Sequence, residues 1–339
     1  MVQADGRREV ADLYVGLVGA GVMARTHHQA WRQLGVRIGV YSIDGGGWRL
    51  AEEDTGGRTE ELGSLDELLA RADVVDVCTP TDTHADIVVA AADASRPILC
   101  EKPLSLDVAE TQRMLDAAAA AGVPLYPGHV VRYFPEYEVL VRQVKDGRIG
   151  PPAVLRFTRT GSYPTRSAWF SEPERSGGVL TDQMVHDFDM ARLLAGEVVK
   201  VHAKELTRVV PPAEPGAVAA ATVVLTHAGG AVTHVRGVWG PPGTAFRTGY
   251  RVAGPDGVLE HDSAATQAFT LQTGPSDEGV MPDVGLVESP YLGEIREMAE
   301  AFCGGPAPRV DGADGLAAVA IAEAARRSSA TGEVVEVTR

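Results

Sequence analysis

Cysteine is scarce in this chain: Cys78, Cys100 and Cys303 are the only thiols among 339 residues. An odd number without paired spacing gives neither a zinc-ribbon pattern nor the disulfide framework of small secreted proteins, so the thiols read as core residues. Long apolar runs are missing too. Ala217–Leu225 is among the longest, far short of the roughly 20 residues that cross a bilayer. The first residues carry Asp5, Arg7, Arg8, Glu9 and Asp12 with no apolar stretch, so no secretory signal is read. Residues 1–12 are expected to be a loose tail, and the location cytoplasmic. Positive charge is in deficit, with 31 Lys and Arg against 46 Asp and Glu and a net charge of −15. Nucleic acid is therefore excluded as a partner, because phosphate binding needs clustered cations. An anionic cofactor remains allowed, since backbone N–H groups can hold it without net charge.

What is present is a chain too long for one hydrophobic core, so two domains are expected. In the first third, Leu13–Gly19, Arg37–Tyr41, Val74–Cys78 and Ile98–Glu101 read as short buried strands. Helices with start signals lie between them. Ser64-Leu65-Asp66-Glu67 is a capping box, and Ser105 is read as the cap of a second helix, with Asp107 and Glu110 in its first turn and Gly122 past its end. Alternating strand and helix means parallel strands with crossover helices, so residues 13–128 are expected to form a doubly wound α/β Rossmann domain.

Beyond about residue 128 the rhythm changes. Ala153–Thr160, Val198–Lys204, Ala217–Thr226, Ala231–Trp239, Gly249–Ala253 and Gln267–Leu271 read as strands separated by glycine-rich turns. Helices are expected at Val179–Leu194, Tyr291–Cys303 and Leu316–Ser328. Residues 129–339 are therefore expected to be an α+β domain on an open, mostly antiparallel sheet. One apolar face of it would be left for a partner subunit.

Gly19-Ala20-Gly21-Val22-Met23-Ala24 follows a strand and opens a helix. Gly19 permits the tight turn, Gly21 lets a pyrophosphate approach the backbone, and Ala24 allows close helix–strand packing; the N–H groups near Val22 and Met23 face the phosphates. At the end of the second strand, the residue that reads the adenosine ribose is aligned with neutral Ser42, which permits a 2′-phosphate. Asp44, two residues on, favours NAD instead, and Arg49 suits either. The reading leans to NADP over NAD. Thr79, Pro80 and His84 follow the third buried strand, at the carboxyl edge where ligands of open α/β sheets bind, and are read as cofactor contacts.

Cys100-Glu101-Lys102-Pro103 closes the next strand, and with the glycine loop it resembles the Gfo/Idh/MocA oxidoreductases. The resemblance extends through Gly177-Gly178-Val179-Leu180-Thr181-Asp182-Gln183-Met184-Val185-His186-Asp187-Phe188-Asp189 and covers about Leu13 to Val337. It implies that Lys102, Asp182 and His186 form the active site, that Glu101 and Lys102 border the cofactor, and that the protein is a homodimer or homotetramer; no metal is expected, because Asp182, His186 and Asp189 offer zinc a carboxylate-rich set with only one histidine. Within that reading His186 is the general base in oxidation, Asp182 orients it, and Lys102 donates to the reacting oxygen. Asp182 and His186 are four apart in the expected helix and so share a face. His129 and Arg132 open the second domain where the family lines its pocket, and Tyr163 and Trp169 precede the second motif; all four are read as substrate contacts. The function implied is hydride transfer between a nicotinamide and a secondary alcohol carbon of a cyclitol or sugar. The alternatives are a catalytically silent, NAD(P)-binding regulatory relative and a reductase of a non-sugar ketone or imine.

Overall fold

The computed structural model describes residues 8–165, 168–208, 218–264 and 288–338. The chain divides into two compact units, Met1–Tyr133 with Leu286–Leu316, and Phe134–Gly285 with Ala317–Arg339. A single division near residue 128 is what the sequence suggests; in the structure a later segment returns to the first unit.

The first unit is built on six parallel strands: β1 (Tyr14–Val18), β2 (Arg37–Tyr41), β3 (Thr59–Glu61), β4 (Val74–Val77), β5 (Ile98–Glu101) and β6 (Leu125–Gly128). Their order is β3-β2-β1-β4-β5-β6, the doubly wound arrangement whose direction reverses between β1 and β4 and opens a crevice there. Strands β1 and β4 are buried along their whole length, as a sheet covered on both faces requires. The crossover helices are α1 (Val22–Gln33), α2 (Gly47–Glu53), α3 (Leu65–Arg71), α4 (His84–Asp93) and α5 (Val108–Ala121). The helix Pro290–Phe302 completes the unit, adding Leu292, Ile295, Met298 and Ala299 to a core that contains Trp31, Leu17 and Val40.

Local chemistry sets the helix ends. The Ser64 hydroxyl accepts the Glu67 N–H at 3.1 Å, and the Glu67 carboxylate returns to the Gly63 N–H at 3.0 Å. For α5 the cap is Asp107 rather than Ser105. Asp107 is extended and accepts the Glu110 N–H at 2.8 Å, while the buried Ser105 hydroxyl turns to the Asp107 carbonyl and to Thr111. Residues 1–7 lie outside the description, but the expected loose tail is already tied down at Arg8, which pairs with Asp73 at 2.7 Å.

The second unit carries a seven-stranded sheet in the order β12-β11-β7-β10-β9-β8-β13. These strands are β7 (Val154–Ser162), β8 (Val198–Arg208), β9 (Val218–His227), β10 (Val232–Gly240), β11 (Arg247–Gly254), β12 (Gly257–Asp262) and β13 (Val335–Glu336). Among the described strands of this sheet, only β7 and β10 pair in parallel. The strand expected at Gln267–Leu271 lies outside the described residues. Helices α6 (Pro135–Lys145), α7 (Pro173–Ser176) and α8 (Val185–Ala195) and most of Gly312–Thr331 accompany the sheet. Leu155, Phe157, Val223, Leu225 and Val235 point to its buried face. The opposite face is mixed: period-two alternation brings out Arg156, Thr158, Thr222, His234 and Arg236 together with Val154, Leu206 and Val258.

Candidate active site

In the first unit the glycine loop caps α1 at the crevice. Gly19 has φ +114°, and a Cβ there would lie 2.4 Å from the Cys78 carbonyl oxygen, so the close approach of the β1 and β4 ends admits glycine alone. Gly21 differs. Nothing lies within 4 Å of the position its Cβ would take, and it caps α1 with no side chain bonded to the first-turn N–H groups. An open backbone at the positive end of a twelve-residue helix fits a pyrophosphate. Val22, 60% exposed, faces the same open ground, and Met23 is half-buried. The residues present therefore fit a dinucleotide.

At the end of β2, Ser42 and Asp44 act as one group. The Ser42 hydroxyl donates to Asp44 Oδ1, which also accepts the Gly46 N–H at 3.0 Å. The Ser42 bond first, and then the Gly46 N–H, hold the Asp44 carboxyl below its ordinary range. Arg49 turns to the ring of Trp48.

The β4 and β5 ends are joined by His84. Its ring is enclosed, with Nδ1 3.0 Å from the Pro103 carbonyl and Nε2 2.9 Å from the Thr79 carbonyl. It braces the two loops instead of facing a ligand, and burial, only partly offset by those carbonyls, lowers its pKa. Thr79 and Pro80 are half-buried, and the Thr79 hydroxyl accepts from Thr83 at 2.8 Å. Lys102 is half-buried. Glu101 is 5% exposed and both its oxygens are engaged, one by His27 at 3.0 Å and one by the Lys102 backbone N–H at 2.9 Å. His129 is buried. Arg132 is buried in a clamp, donating to the Arg309 carbonyl at 2.6 Å and pairing with Asp314 at 2.9 Å. That guanidinium is committed to structure, which removes it from the substrate contacts read from the sequence.

In the second unit the expected single helix from Val179 is broken. Val179–Gln183 forms a π-helical turn, closed by the Met184 N–H on the Val179 carbonyl at 3.1 Å, and α8 begins only at Val185. Asp182 and His186 thus lie on two elements and do not share the face of a regular helix. A glycine pair stands before the turn. Gly177 and Gly178 both have positive φ, and a Cβ on Gly177 would fall 2.4 Å from the Thr181 side chain. Single π turns mark functional sites often enough to be informative. From Val179 to Ala191 every residue is buried except Asp182 and His186, which are half-buried.

Two neighbours of this turn escape sequence reading. Asp187 is enclosed and takes a bidentate pair of bonds from Arg159 of β7, at 2.9 and 3.2 Å. The signal was a charged residue inside an apolar strand pattern, which must find a partner when buried. Tyr163 is buried edge-on to Trp239, with ring centroids 5.6 Å apart. Trp169 stacks on Phe170 at 4.0 Å, so one of its faces is covered. A cavity of about 310 Å³ in this unit is lined by Tyr163, Phe170, Trp239, Glu205 and Arg326, among others. No described helix is long and apolar enough to cross a membrane.

Known proteins place these features in one family. Residues 13–129 match the Gfo/Idh/MocA oxidoreductase family with its NAD-binding Rossmann fold, and residues 137–260 match the Gfo/Idh/MocA C-terminal domain. The inositol 2-dehydrogenase of Rhizobium meliloti is 30% identical over 93% of this chain and 96% of its own. The myo-inositol 2-dehydrogenase of Thermotoga maritima is 29% identical over 93% and 95%. Among solved structures, GenD2 from gentamicin A biosynthesis, in complex with NAD, superposes with a TM-score of 0.83 at 26% identity, covering 98% of each chain. The chain belongs to the Gfo/Idh/MocA family of NAD-binding oxidoreductases.

Proposed function

We propose that the protein is an NAD-dependent dehydrogenase of a secondary alcohol carbon in a cyclitol or sugar. The observation that carries this reading is that Asp182 and His186 are the two half-buried positions in an otherwise buried run. Such an arrangement serves chemistry better than packing, since polar groups placed there gain nothing for the core. The nicotinamide of bound NAD supplies the hydride acceptor. His186 removes the hydroxyl proton during oxidation and returns it in reduction, a task matched to imidazole's titration near neutrality. Asp182 orients His186 or holds a neighbouring hydroxyl. Lys102 donates to the reacting oxygen and stabilises its developing negative charge. Gly19, Gly21, Val22 and Met23 hold the pyrophosphate, and Thr79 and Pro80 border the nicotinamide half. Of the substrate contacts, His129, Tyr163 and Trp169 remain in this proposal.

On cofactor choice the reading runs to NAD, against the lean to NADP drawn from Ser42 alone. With the Ser42 hydroxyl committed to Asp44 and that carboxylate held ionised, the pair presents negative charge where a 2′-phosphate would sit. Asp44→Asn should raise the NADP/NAD ratio of kcat/KM by about tenfold, worth about 1.4 kcal/mol; an unchanged ratio would reject the pair as the ribose reader. The assembly proposed is a homodimer or homotetramer, read by light scattering. The substrate class is tested by assaying NAD⁺ and NADP⁺ reduction with inositols, aldoses, anhydro sugars and simple aliphatic alcohols. Turnover of polyols alone supports the reading, and turnover confined to aliphatic alcohols overturns it.

A further inference from the structure

Behind Lys102 lies a buried acid–imidazole network that the proposed hydride chemistry does not use. His27, on α1, is fully enclosed. Its Nδ1 is 3.1 and 3.0 Å from the two carboxylate oxygens of Asp76 on β4, and its Nε2 is 3.0 Å from Glu101 Oε1 at the end of β5. The Trp31 indole donates to Asp76 at 2.7 Å, and Cys78 Sγ lies 3.3 Å from His27 Nδ1. The closeness of His27, Asp76 and Cys78 is accounted for by these hydrogen bonds. Glu101 completes the chain, because its second oxygen accepts the Lys102 backbone N–H. From the helix Pro290–Phe302, Glu294 is also fully enclosed, and neither of its carboxyl oxygens has a hydrogen-bond partner.

An ionised carboxyl only accepts, so with Asp76 and Glu101 both in that form the two ring nitrogens facing them each carry a proton. Burial opposes charge on His27, but Asp76 and then Cys78 together outweigh it and raise the imidazole well above its ordinary value. Burial and then the charge of Glu101 push Glu294 up, making it the neutral acid of the group. One imidazolium thus bridges two carboxylates on adjacent strands, and the second carboxylate holds the backbone of Lys102.

We propose that His27 is a positioning residue for Lys102, acting through its Nε2 arm on Glu101. The inference rests on the reading of Lys102 as catalytic, but it makes a separable prediction about which arm of the ring matters. Asparagine reproduces the reach of Nδ1 and keeps the arm to Asp76; glutamine reproduces Nε2 and keeps the arm to Glu101. His27→Asn should therefore disturb Lys102, and His27→Gln should spare it. A purely structural role predicts no such order.

The test compares the two variants in the full chain. The chain has four lysines, Lys102, Lys145, Lys200 and Lys204, so competitive acetylation with acetic anhydride, read by peptide mass spectrometry, reports Lys102 against three internal references. The expected result is a change in relative Lys102 labelling of at least about threefold in His27→Asn and under about 1.5-fold in His27→Gln. NADH affinity by fluorescence should stay within about twofold in both. If a His27 variant does not fold, Glu101→Ala and Glu101→Gln ask the same question, because glutamine still accepts the Lys102 N–H. Labelling of Lys102 that is equal in both members of a pair, or reversed in order, overturns the inference. So does a loss of NADH affinity parallel to the labelling change, which would trace the effect to the cofactor and not to the position of Lys102. Lys102→Ala with undiminished turnover of the best polyol overturns the catalytic reading alone, so the two failures are distinguishable.

Discussion

The two glycine turns of this protein do opposite things with the same residue. In the first unit, Gly21 leaves room: a Cβ there meets no protein atom within 4 Å, so the space serves something other than the fold. In the second, Gly177 fills a backbone need: its φ is +71° and a Cβ would collide with Thr181. One glycine leaves its backbone open, where the proposed pyrophosphate would lie. The other stands at positive φ just before a π turn, in a run whose two half-buried positions are polar. Glycine in a motif therefore has to be asked which neighbour it spares.

The largest expected effect falls on the proposed catalytic groups. His186→Ala, just past the second turn, and Lys102→Ala, after β5, should each lower kcat by at least about a hundredfold with NADH affinity almost intact, as for groups that act in the transition state. Near-parental turnover of His186→Ala would break the comparison, since the second turn would then stand beside nothing that matters. The glycines themselves sharpen it. Gly177→Ala should cost about 1–3 kcal/mol of stability through strain at positive φ and overlap with Thr181, seen as a lower urea midpoint. Gly21→Ala should leave the midpoint unchanged and weaken NADH by about tenfold, or about 1.4 kcal/mol. If the two variants show the same pattern, the distinction between the turns is wrong.

The smallest effect concerns pH. Burial, then Glu101, raises the Glu294 carboxyl well above its ordinary value in the folded chain, with His27 opposing and Asp76 and Glu297 assisting. The folded state then holds a proton that the unfolded state releases near pH 4.5, so this group's contribution to stability declines as pH rises from there toward the folded pKa. Glu294→Gln removes that slope. Melting curves of variant and parent should diverge in favour of the variant between pH 5 and pH 8, by about 2–4 °C. Parallel curves would mean that Glu294 is ionised throughout.

The sequence carried the first unit well because its signals are local. Apolar runs, the Ser64 cap and the Gly19 loop all act within a few residues of where they are read. Even there, the three-residue strand Thr59–Glu61 has two exposed acids and no apolar run, and the cap of α5 moved two residues to Asp107. His27 was missed because its partners, Asp76 and Glu101, stand 49 and 74 residues away. A charged residue inside the buried strand Val74–Val77 was the available clue. In the second unit the π turn was illegible for a different reason. Its apolar residues continue across the break, so the periodic signal passes through the junction at Met184 without a mark.

The return of residues 286–316 to the first unit has a consequence for how the protein is made. Ile295, Met298 and Ala299 pack in the same core as Trp31, yet the ribosome delivers them only after the whole of 134–285. At ordinary elongation rates that is a delay on the order of ten seconds. During it, the nascent glycine-loop half lacks the apolar residues that later cover one flank of its core, and uncovered apolar surface is prone to aggregate. A fragment ending at Tyr133 would be held in that unfinished state permanently, so the cofactor half cannot be excised as a module by cutting the gene once.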